Sequence, residues 1–572
     1  MAQNFIESRR DQGFLLPPDV RDWLPGDHLA WFVIDAVAEL DLSVFYGAYR
    51  ADGHGAAAYE PSMMVTLLLY SYSTGQRSSR MIERHCRQDV AYRVITGNVV
   101  PDHATIARFV VRHERVLAEL FGQVLGLCDR AGLVSAGVVA IDGTRLAGNA
   151  SKDRNREFGK IAREILGDAK ATDEAEDAQH GEARGDELPE ELRTAEGRRA
   201  FFGEARRRLE SEGGEGEPLA GSGEVSDGCA DAPASDGSSV EAGRDGGRVG
   251  EETDNEPCET VSPDTAERDE APLTAPVTSN SSDSAPRYAF DTKRIVARGQ
   301  GREGWSREAR RQLEEHRFKH PQPVPRSRAE RLLIAAERLE QELEADRLAN
   351  EAYLHYKATG RTSDGRRFGR PPNPYVPPEV PEGKVNVSDP DSHYMKTNDG
   401  YVQGYNAQAV VSEQQIVLAA EITTSTVDWS QLDPMISAAI AELEQAGVSD
   451  GPRVALADCQ YWNEEHMDEV VANKHIQVLI PPESQARAEP RPGWTGGRYD
   501  FMRAALKSDG GQQLYHKRPG MIEPLFAQTK HNRGVTRFLR RGRSAVRTEW
   551  RLLMTTHNLD KLHRNHLATM RA

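Results

Sequence analysis

The sequence predicts an α/β domain built on a mixed five-stranded sheet, preceded by an all-helical N-terminal domain and interrupted by a long insertion after its first strand. Two short apolar runs, 138–141 and 454–457, each close on an aspartate, Asp142 and Asp458. Unbroken apolar runs of this length read as strands buried on both faces, as parallel strands are. Between 27 and 133 apolar residues recur instead at helical spacing. Between the two strands lies the stretch 171–290, too polar to build a core of its own.

The N-terminal region, 1–133, reads helix by helix. Residues 28–40 place Trp31, Phe32, Ile34, Val37 and Leu40 mostly at helical spacing. A second helix starts after Pro61, a residue favoured in first turns, and carries Met63, Met64, Leu67, Leu68 and Tyr70. Further helices are expected over 80–96 and 102–130. The last opens at Asp102 or Thr105, with Ile106, Phe109, Val110 and Val116 on its apolar side. Arg87, Arg93, Arg108, Arg112 and Arg115 stud this region. Periodicity is satisfied by a plain bundle with charged faces; the functional alternative is a helix-turn-helix-like reader of DNA.

The first strand is expected over 137–141, within a segment 134–160, and an insertion follows over 161–385. Its part 171–290 is rich in Glu, Asp, Gly, Ser and Pro and poor in aromatics. It cannot bury enough apolar surface to offset its ordering entropy, so disorder is expected, with a short helix near 189–210. Helices are expected over 300–360. Ser327-Arg328-Ala329-Glu330 is a capping box, and Leu332, Ala336, Leu339 and Leu343 follow at the spacing of a short coiled coil. Residues 371–381 are a Pro-rich extended linker.

The remainder of the sheet domain is read over 386–535. Strands at 405–411 and 416–423 flank a turn at 412–415. An amphipathic helix over 429–445 buries Leu432, Met435, Ile436, Ala439, Ile440 and Leu443, with Asp428 as its N-cap and Gly447 as its stop. The strand ending at Asp458, a helix over 464–472 and a strand over 476–480 follow. Three strands, then helix and strand in alternation, match the ribonuclease-H-like pattern. A basic helical tail, 536–572, closes the chain.

Net charge is −17 for 572 residues, but its distribution is uneven. Residues 171–290 hold 31 acidic and 11 basic residues, which leaves 61 basic and 58 acidic elsewhere. The acidity of the whole therefore says little about the folded parts. Five cysteines at irregular spacing, with no CxxC, suit a reducing compartment and no zinc site. Residues 1–21 lack the apolar core of a signal peptide, and the longest apolar run, 63–70, is too short to span a bilayer.

A carboxylate that closes a buried strand emerges at the carboxyl edge of the sheet, where open α/β sheets keep their ligands. A third acid, Glu523, lies downstream beside Pro524, which is tolerated only in a first helical turn and so puts Glu523 near a helix start. Ile522, Leu525, Phe526 and Thr529 form the buried stripe of that helix, and Glu523, Ala527 and Lys530 share the neighbouring face. Tyr515 and Arg518 precede it, and arginine suits bidentate contact with phosphate. From Lys530 onward 11 Lys or Arg stand against Glu549 and Asp560, a patch suited to phosphates. Singly, either aspartate is equally well a turn former or helix cap. Three carboxylates gathered with a Tyr/Arg/Lys surround suit two hard divalent cations and phosphodiester chemistry.

At these residues the chain resembles a known family. Tyr515, Arg518, Glu523 and Lys530 look like the Tyr-Arg-Glu-Lys signature of bacterial and archaeal insertion-sequence transposases of the DDE class, with four residues rather than the usual three between Arg518 and Glu523. Ile141-Asp142-Gly143-Thr144 with Gly148-Asn149-Ala150-Ser151 resembles the first-Asp segment, and Ala457-Asp458 with Tyr461-Trp462 the second. Asp389-Pro390-Asp391-Ser392 through Gly404-Tyr405-Asn406-Ala407-Gln408 is similar to another block of these enzymes, and Pro101-Asp102-His103-Ala104-Thr105 with Arg108-Phe109 to the InsH-type N-terminal domain. The resemblance implies that Asp142, Asp458 and Glu523 bind two Mg²⁺ or Mn²⁺ ions for cleavage at element ends and strand transfer. It implies double-stranded DNA as partner, both terminal inverted repeats and target, met by Tyr515, Arg518, Lys530, Arg537, Arg540, Arg541, Arg543, Arg108 and Arg112. A synaptic homodimer and a cytoplasmic, nucleoid-associated protein are implied as well. The rivals are a ribonuclease-H-like nuclease, which hydrolyses without joining, and a non-catalytic DNA-binding regulator or inactive remnant.

Overall fold

The computed structural model describes residues 19–49, 57–180, 290–291, 301–320, 322–325, 327–359, 361, 378–397, 400–484 and 490–571. Of the stretch 171–290 expected to be disordered, 171–180 continue a helix that begins at Phe158; the rest to 289, the helix near 189–210 and the linker residues 371–377 lie outside the described residues. Apart from 174–180, the described residues belong to one compact unit.

The chain enters the sheet through α1 (Leu29–Ala38), α2 (Ser43–Gly47), α3 (Pro61–Ser73), α4 (Ser79–Gln88), α5 (Val90–Ile95), α6 (His103–Arg112) and α7 (Glu114–Arg130). Side chains that take up first-turn N–H groups set several of the starts. His28 Nδ1 accepts from Ala30, and the carboxylates of Asp89 and Asp102 each accept from two backbone N–H groups. Pro61 is the first residue of α3, where its missing N–H costs nothing. The long helices expected over 80–96 and 102–130 are each divided. Asp89 leaves helical geometry to cap α5. His113 (φ −106°, ψ 20°) turns aside and buries its ring against Phe45 and Phe109, with centroids 5.1 and 4.5 Å away.

Next come β1 (Val138–Ala147), β2 (Asn155–Arg156), α8 (Phe158–His180), α9 (Gly301–Lys319), α10 (Arg328–Thr359), β3 (Val385–Asn386), β4 (His393–Thr397), β5 (Gly400–Ser412), β6 (Val417–Thr423), α11 (Leu432–Gln445), β7 (Val454–Leu456), α12 (Glu464–Lys474) and β8 (Gln477–Leu479). The main sheet has six strands, not five. β5 pairs antiparallel with β1 along one edge, and along the other with β4 and then β6, end to end. β7 pairs parallel with β1 and β8 parallel with β7. The sixth strand, β4, reads His-Tyr-Met-Lys-Thr and carries no apolar run to betray it. The first strand does not stop at Asp142. Gly143–Ala147 continue the ladder with β5 down to Gly404, so β1 is ten residues long.

Alternation along the strands sends side chains to two cores. Ala140, Leu146, Ala407, Ala409 and Leu456 face one that is continuous with the N-terminal helices; Val139, Ile141, Val410 and Ala455 face α11. α13 (Gly497–Lys507), α14 (Asp509–Tyr515) and α15 (Lys517–Ala527) follow β8, and α15 packs on β1. The stretch read as a basic tail is part of the core. α16 (Arg543–Arg571) buries Trp550, Leu552, Leu553, Met554 and Leu559 among α3, α7 and β6.

The entry into α16 is heavily pinned. Glu549, fully buried, accepts from Leu539 N, Arg540 N and the Arg77 guanidinium. Asp389 accepts from Gly542 N and Asp391 from Arg543 N. Farther along, Arg547 and Arg551 pair with Glu421, and Arg533 before the helix with Asp560 within it. Gly75, at φ +80°, meets the Arg533 backbone so closely that a Cβ would lie 2.7 Å from its carbonyl oxygen. In the insertion, α9 and α10 pack as a pair through Trp305, Ala309, Ala345 and Ala349. The other end of the α10 stripe, Leu332 and Leu339, packs on Ile161, Val385 and Val387. The stripe thus serves two short contacts rather than a coiled coil.

His557 lies buried within α16, where its Nε2 donates to the Gln415 carbonyl at 3.0 Å. Burial, then the nearby Arg533 guanidinium, pushes its pKa down to about 3. Since the unfolded chain takes up this proton near pH 6.5, stability is full above that pH and falls as pH drops, by up to about 1.4 kcal/mol per unit. Urea midpoints measured from pH 7 to pH 4 should fall less steeply for His557→Gln than for wild type; parallel curves would refute the assignment.

Candidate active site

Asp142 and Asp458 are set opposite one another by strand register. Val138 pairs with Val454 and Ala140 with Leu456, so two residues farther on the aspartates face each other where β1 and β7 part. Asp142 Oδ2 accepts from Arg518 Nη2 of α15 at 2.7 Å, and its Oδ1 from Gly143 N at 2.8 Å. Both side chains of this ion pair are largely buried, 23% and 11% exposed. Burial pushes the Asp142 pKa up to about 6, against the pull of Arg518 and with the push of Asp458. Burial raises Asp458 as well, although its carboxylate accepts from Gln460 N at 2.8 Å, capping the short turn Cys459–Tyr461. The hydroxyl of Tyr515 donates to the carbonyl of Ala457 at 3.2 Å and stays protonated, its pKa pushed up to about 12 by burial.

A polar network braces this pair from the other face of the sheet. Asp428 accepts from Asn406 Nδ2 and Gln408 Nε2, each at 2.7 Å, and pairs with Arg145. Gln408 Oε1 in turn accepts from the hydroxyl of Tyr461, three residues beyond Asp458. Asp428 is therefore not the N-cap expected of it. Gln431 holds that position in α11, without a side-chain bond. The network explains the Asp-Gly pair on β1: a Cβ on Gly143 would lie 2.1 Å from Gln408 Nε2. Sequence reasoning missed Asp428, because an acid just before a helix is most simply a cap. The Asn406-x-Gln408 alternation was the signal, placing two amides on one face of β5.

Glu523 stands apart from the aspartates. It is exposed in the second turn of α15, not near its start, and Pro524 lies inside the helix. Proline deprives the Gly520 carbonyl of its helical donor. Gln415 Nε2, from the β5–β6 turn, supplies a donor at 2.7 Å, which is why the helix persists. Among the described residues no group of three or more His, Cys, Asp or Glu side chains is close enough to hold a metal ion. Lys530 lies half-buried in a π-helical turn, Gln528–Asn532, so the α spacing that aligned it with Glu523 does not hold.

The arginines divide. Arg540 pairs with Glu114, and Arg543 with Glu314 while donating to the Ile422 carbonyl. Arg537 and Arg541 are exposed and donate to the carbonyls of Gly148 and Asn149. On α6, Arg108 donates to Thr105 Oγ1, and Arg112 stacks 4.5 Å from the Tyr49 ring.

Comparison with known families adds two matches. A family model described as a transposase domain (DUF772) matches residues 18–112, and one described as a transposase DDE domain matches residues 489–563, which contain Tyr515, Arg518, Glu523 and Lys530. Searches of curated proteins and of solved structures found no match. The two matches, one at each end of the chain, support an insertion-sequence transposase of the DDE class. Its function is DNA transposition, with the ends of an insertion sequence as its DNA. None of the described helices is long and apolar enough to cross a membrane.

The two aspartates repel each other across a site with one guanidinium between them. Asp458→Asn keeps an oxygen for the Gln460 N–H and removes one buried charge. At pH 8 in EDTA the variant should melt higher than wild type, by roughly 1 °C for each kcal/mol recovered in a folded unit of this size. A lower melting point would show that the carboxylate is held by partners and is not under repulsion.

Proposed function

We propose that the sheet is a ribonuclease-H-like catalytic domain, assembled from residues 134–160 and 386–535, and that Asp142, Asp458 and Glu523 are its metal-binding, catalytic carboxylates. The strand order β6–β5–β1–β7–β8, antiparallel at one end and parallel at the other, supports the fold. The observation that carries the function is the Asp142–Asp458 pair facing Arg518 inside a chain of this family. The donor set fits Mg²⁺ or Mn²⁺: two hard carboxylate oxygens in a partly buried place, with pKa values raised in a way that a cation reverses. Glu523 is the third donor of this reading, and α15 has to bring it to the pair. When bound, two such ions supply Lewis acids that activate water or a DNA 3′-hydroxyl and stabilise the leaving oxygen.

The protein groups position the rest. Arg518 holds Asp142 in place, and its Nε is buried without a hydrogen-bond partner among the described residues, leaving a donor for a phosphate oxygen. Tyr515 ties the end of α14 to the residue before Asp458, so the two halves of the site move together. Lys530 neutralises a backbone phosphate. Arg537, Arg541, Arg108 and Arg112 offer exposed cations to the duplex, and a homodimer brings two element ends together.

The test is cleavage and strand transfer on labelled DNA carrying the element's own ends, in Mg²⁺ or Mn²⁺. Asp142→Asn and Glu523→Gln should each lose at least about 10³-fold in rate, the scale for groups that act as a unit, while still binding DNA. Normal cutting by either variant would remove that residue from the site. Cutting without joining would make the protein a nuclease, and binding with neither would leave a regulator. In parallel, saturating Mn²⁺ should stabilise wild type by about 2.7 kcal/mol at a hundred times Kd, raising its melting temperature, and should not raise that of Asp142→Asn.

A further inference from the structure

The far end of β1 carries a second cluster of charge. β1 is bonded to β5 from Val139 to Ala147, but among the described residues its other edge is covered by β7, as far as Ala140, and again at Ala147, where Arg537 makes a parallel bridge and Phe538 N donates to the Ala147 carbonyl. Between these points no described strand pairs with the edge. Asp142 lies at one end of the gap and Ala147 at the other, five strand residues or about 17 Å away.

At the Ala147 end two segments meet. Arg537 Nη2 donates to the Gly148 carbonyl, Arg541 Nε to that of Asn149, and Asn149 Nδ2 to that of Leu539. The short helical turn Lys152–Arg154 follows. Lys152, Arg154, Arg537 and Arg541 are all exposed, and none forms an ion pair with a described residue. Burial, and after it the charges of Arg541, Arg328 and Arg154, hold the Arg331 pKa below its usual value, so Arg154 and Arg541 lie near the same arginine. Asp153 is the acid within the turn. Arg328, by contrast, is neutralised by Glu164 and Asp168.

We propose that Lys152, Arg154, Arg537 and Arg541 form a phosphate-binding platform for duplex DNA, half a helical turn away from the Asp142–Asp458 pair. This rests on the transposase reading and says where the duplex lies: across the side of the sheet where β1 is not paired with a described strand. The separation of about 17 Å is half the 34–36 Å repeat of B-DNA, so a duplex with one phosphate at the aspartates presents backbone again at the platform. The arrangement redraws the basic set expected from sequence. Arg540 and Arg543 leave it, being neutralised inside the protein, and Lys152 and Arg154 join it from the opposite end of the chain.

The experiment is the salt dependence of binding to a mixed-sequence duplex of about 40 bp, long enough for the electrostatic contacts that need no recognition sequence. Each phosphate contact contributes about 0.9 to the slope of log K against log salt. Arg154→Gln/Arg537→Gln/Arg541→Gln in the full-length chain should lower the slope by about 2–3 and weaken binding at least tenfold at 0.1 M salt. An unchanged slope in the folded triple variant would overturn the platform while leaving the transposase reading intact. Wild type that binds the duplex without salt dependence would instead defeat the DNA-handling reading itself. Because the Arg537 and Arg541 side chains also hold backbone carbonyls, Arg154→Glu is the companion variant. Its side chain has no hydrogen bond to a described residue, and it should still weaken binding several-fold; wild-type affinity would count against the platform.

Discussion

The burial of one carboxylate, Glu549, is the constraint on which the rest depends. It sits without solvent contact in the first turns of α16 and is satisfied by two backbone N–H groups and by Arg77 from the N-terminal helices. A buried carboxylate left unpaired costs several kcal/mol, so the chain cannot close this core unless its two ends meet. Burial raises its pKa, and Arg77 acts against that shift. The N-terminal helices and α16 share a single core with one face of the sheet.

That shared core sets the geometry of the site. With α16 and α15 both laid on the face of Ala140 and Leu456, Arg518 is held over Asp142, and the β5–β6 turn comes within reach of α15. Gln415 shows the economy of the arrangement. Its side-chain amide takes the carbonyl that Pro524 leaves without a donor, its carbonyl accepts from His557, and its amide oxygen accepts from Lys561. On the opposite face, Asp428, Asn406 and Gln408 fix Tyr461 and hence the turn capped by Asp458. Each aspartate is thus steadied through its own strand and a helix. Glu523, exposed on α15, has no such bracing.

Much of this was legible in the chain. Apolar runs located β7 and the first half of β1, helical periodicity located most of the helices, and the signature picked out Tyr515 and Arg518, which bond to Ala457 and Asp142. The misreadings share a cause. Asp142 was taken for a strand end because the apolar run stops there, whereas Gly143–Ala147 are held by a ladder whose partner lies far along the chain. Spacing alone reads Arg540 and Arg543 as free cations, whereas they pair with Glu114 and Glu314, which are distant in sequence. The Asp389-Pro390-Asp391 block reads as a motif, yet its carboxylates secure the start of α16 and the Tyr405 hydroxyl.

The sequence by itself determined the local terms: which segments are helical, where caps and prolines start them, which strands are apolar enough for parallel pairing, and which residue types suit phosphodiester chemistry. These follow from periodicity and side-chain chemistry within a few residues. Only the tertiary structure decided which charges remain available. Whether an arginine faces solvent or a buried carboxylate depends on contacts across hundreds of residues, and spacing along the chain carries no record of them. The same holds for the pairing of Asp142 with Asp458, fixed by three residues of parallel register between strands that the insertion holds far apart in sequence.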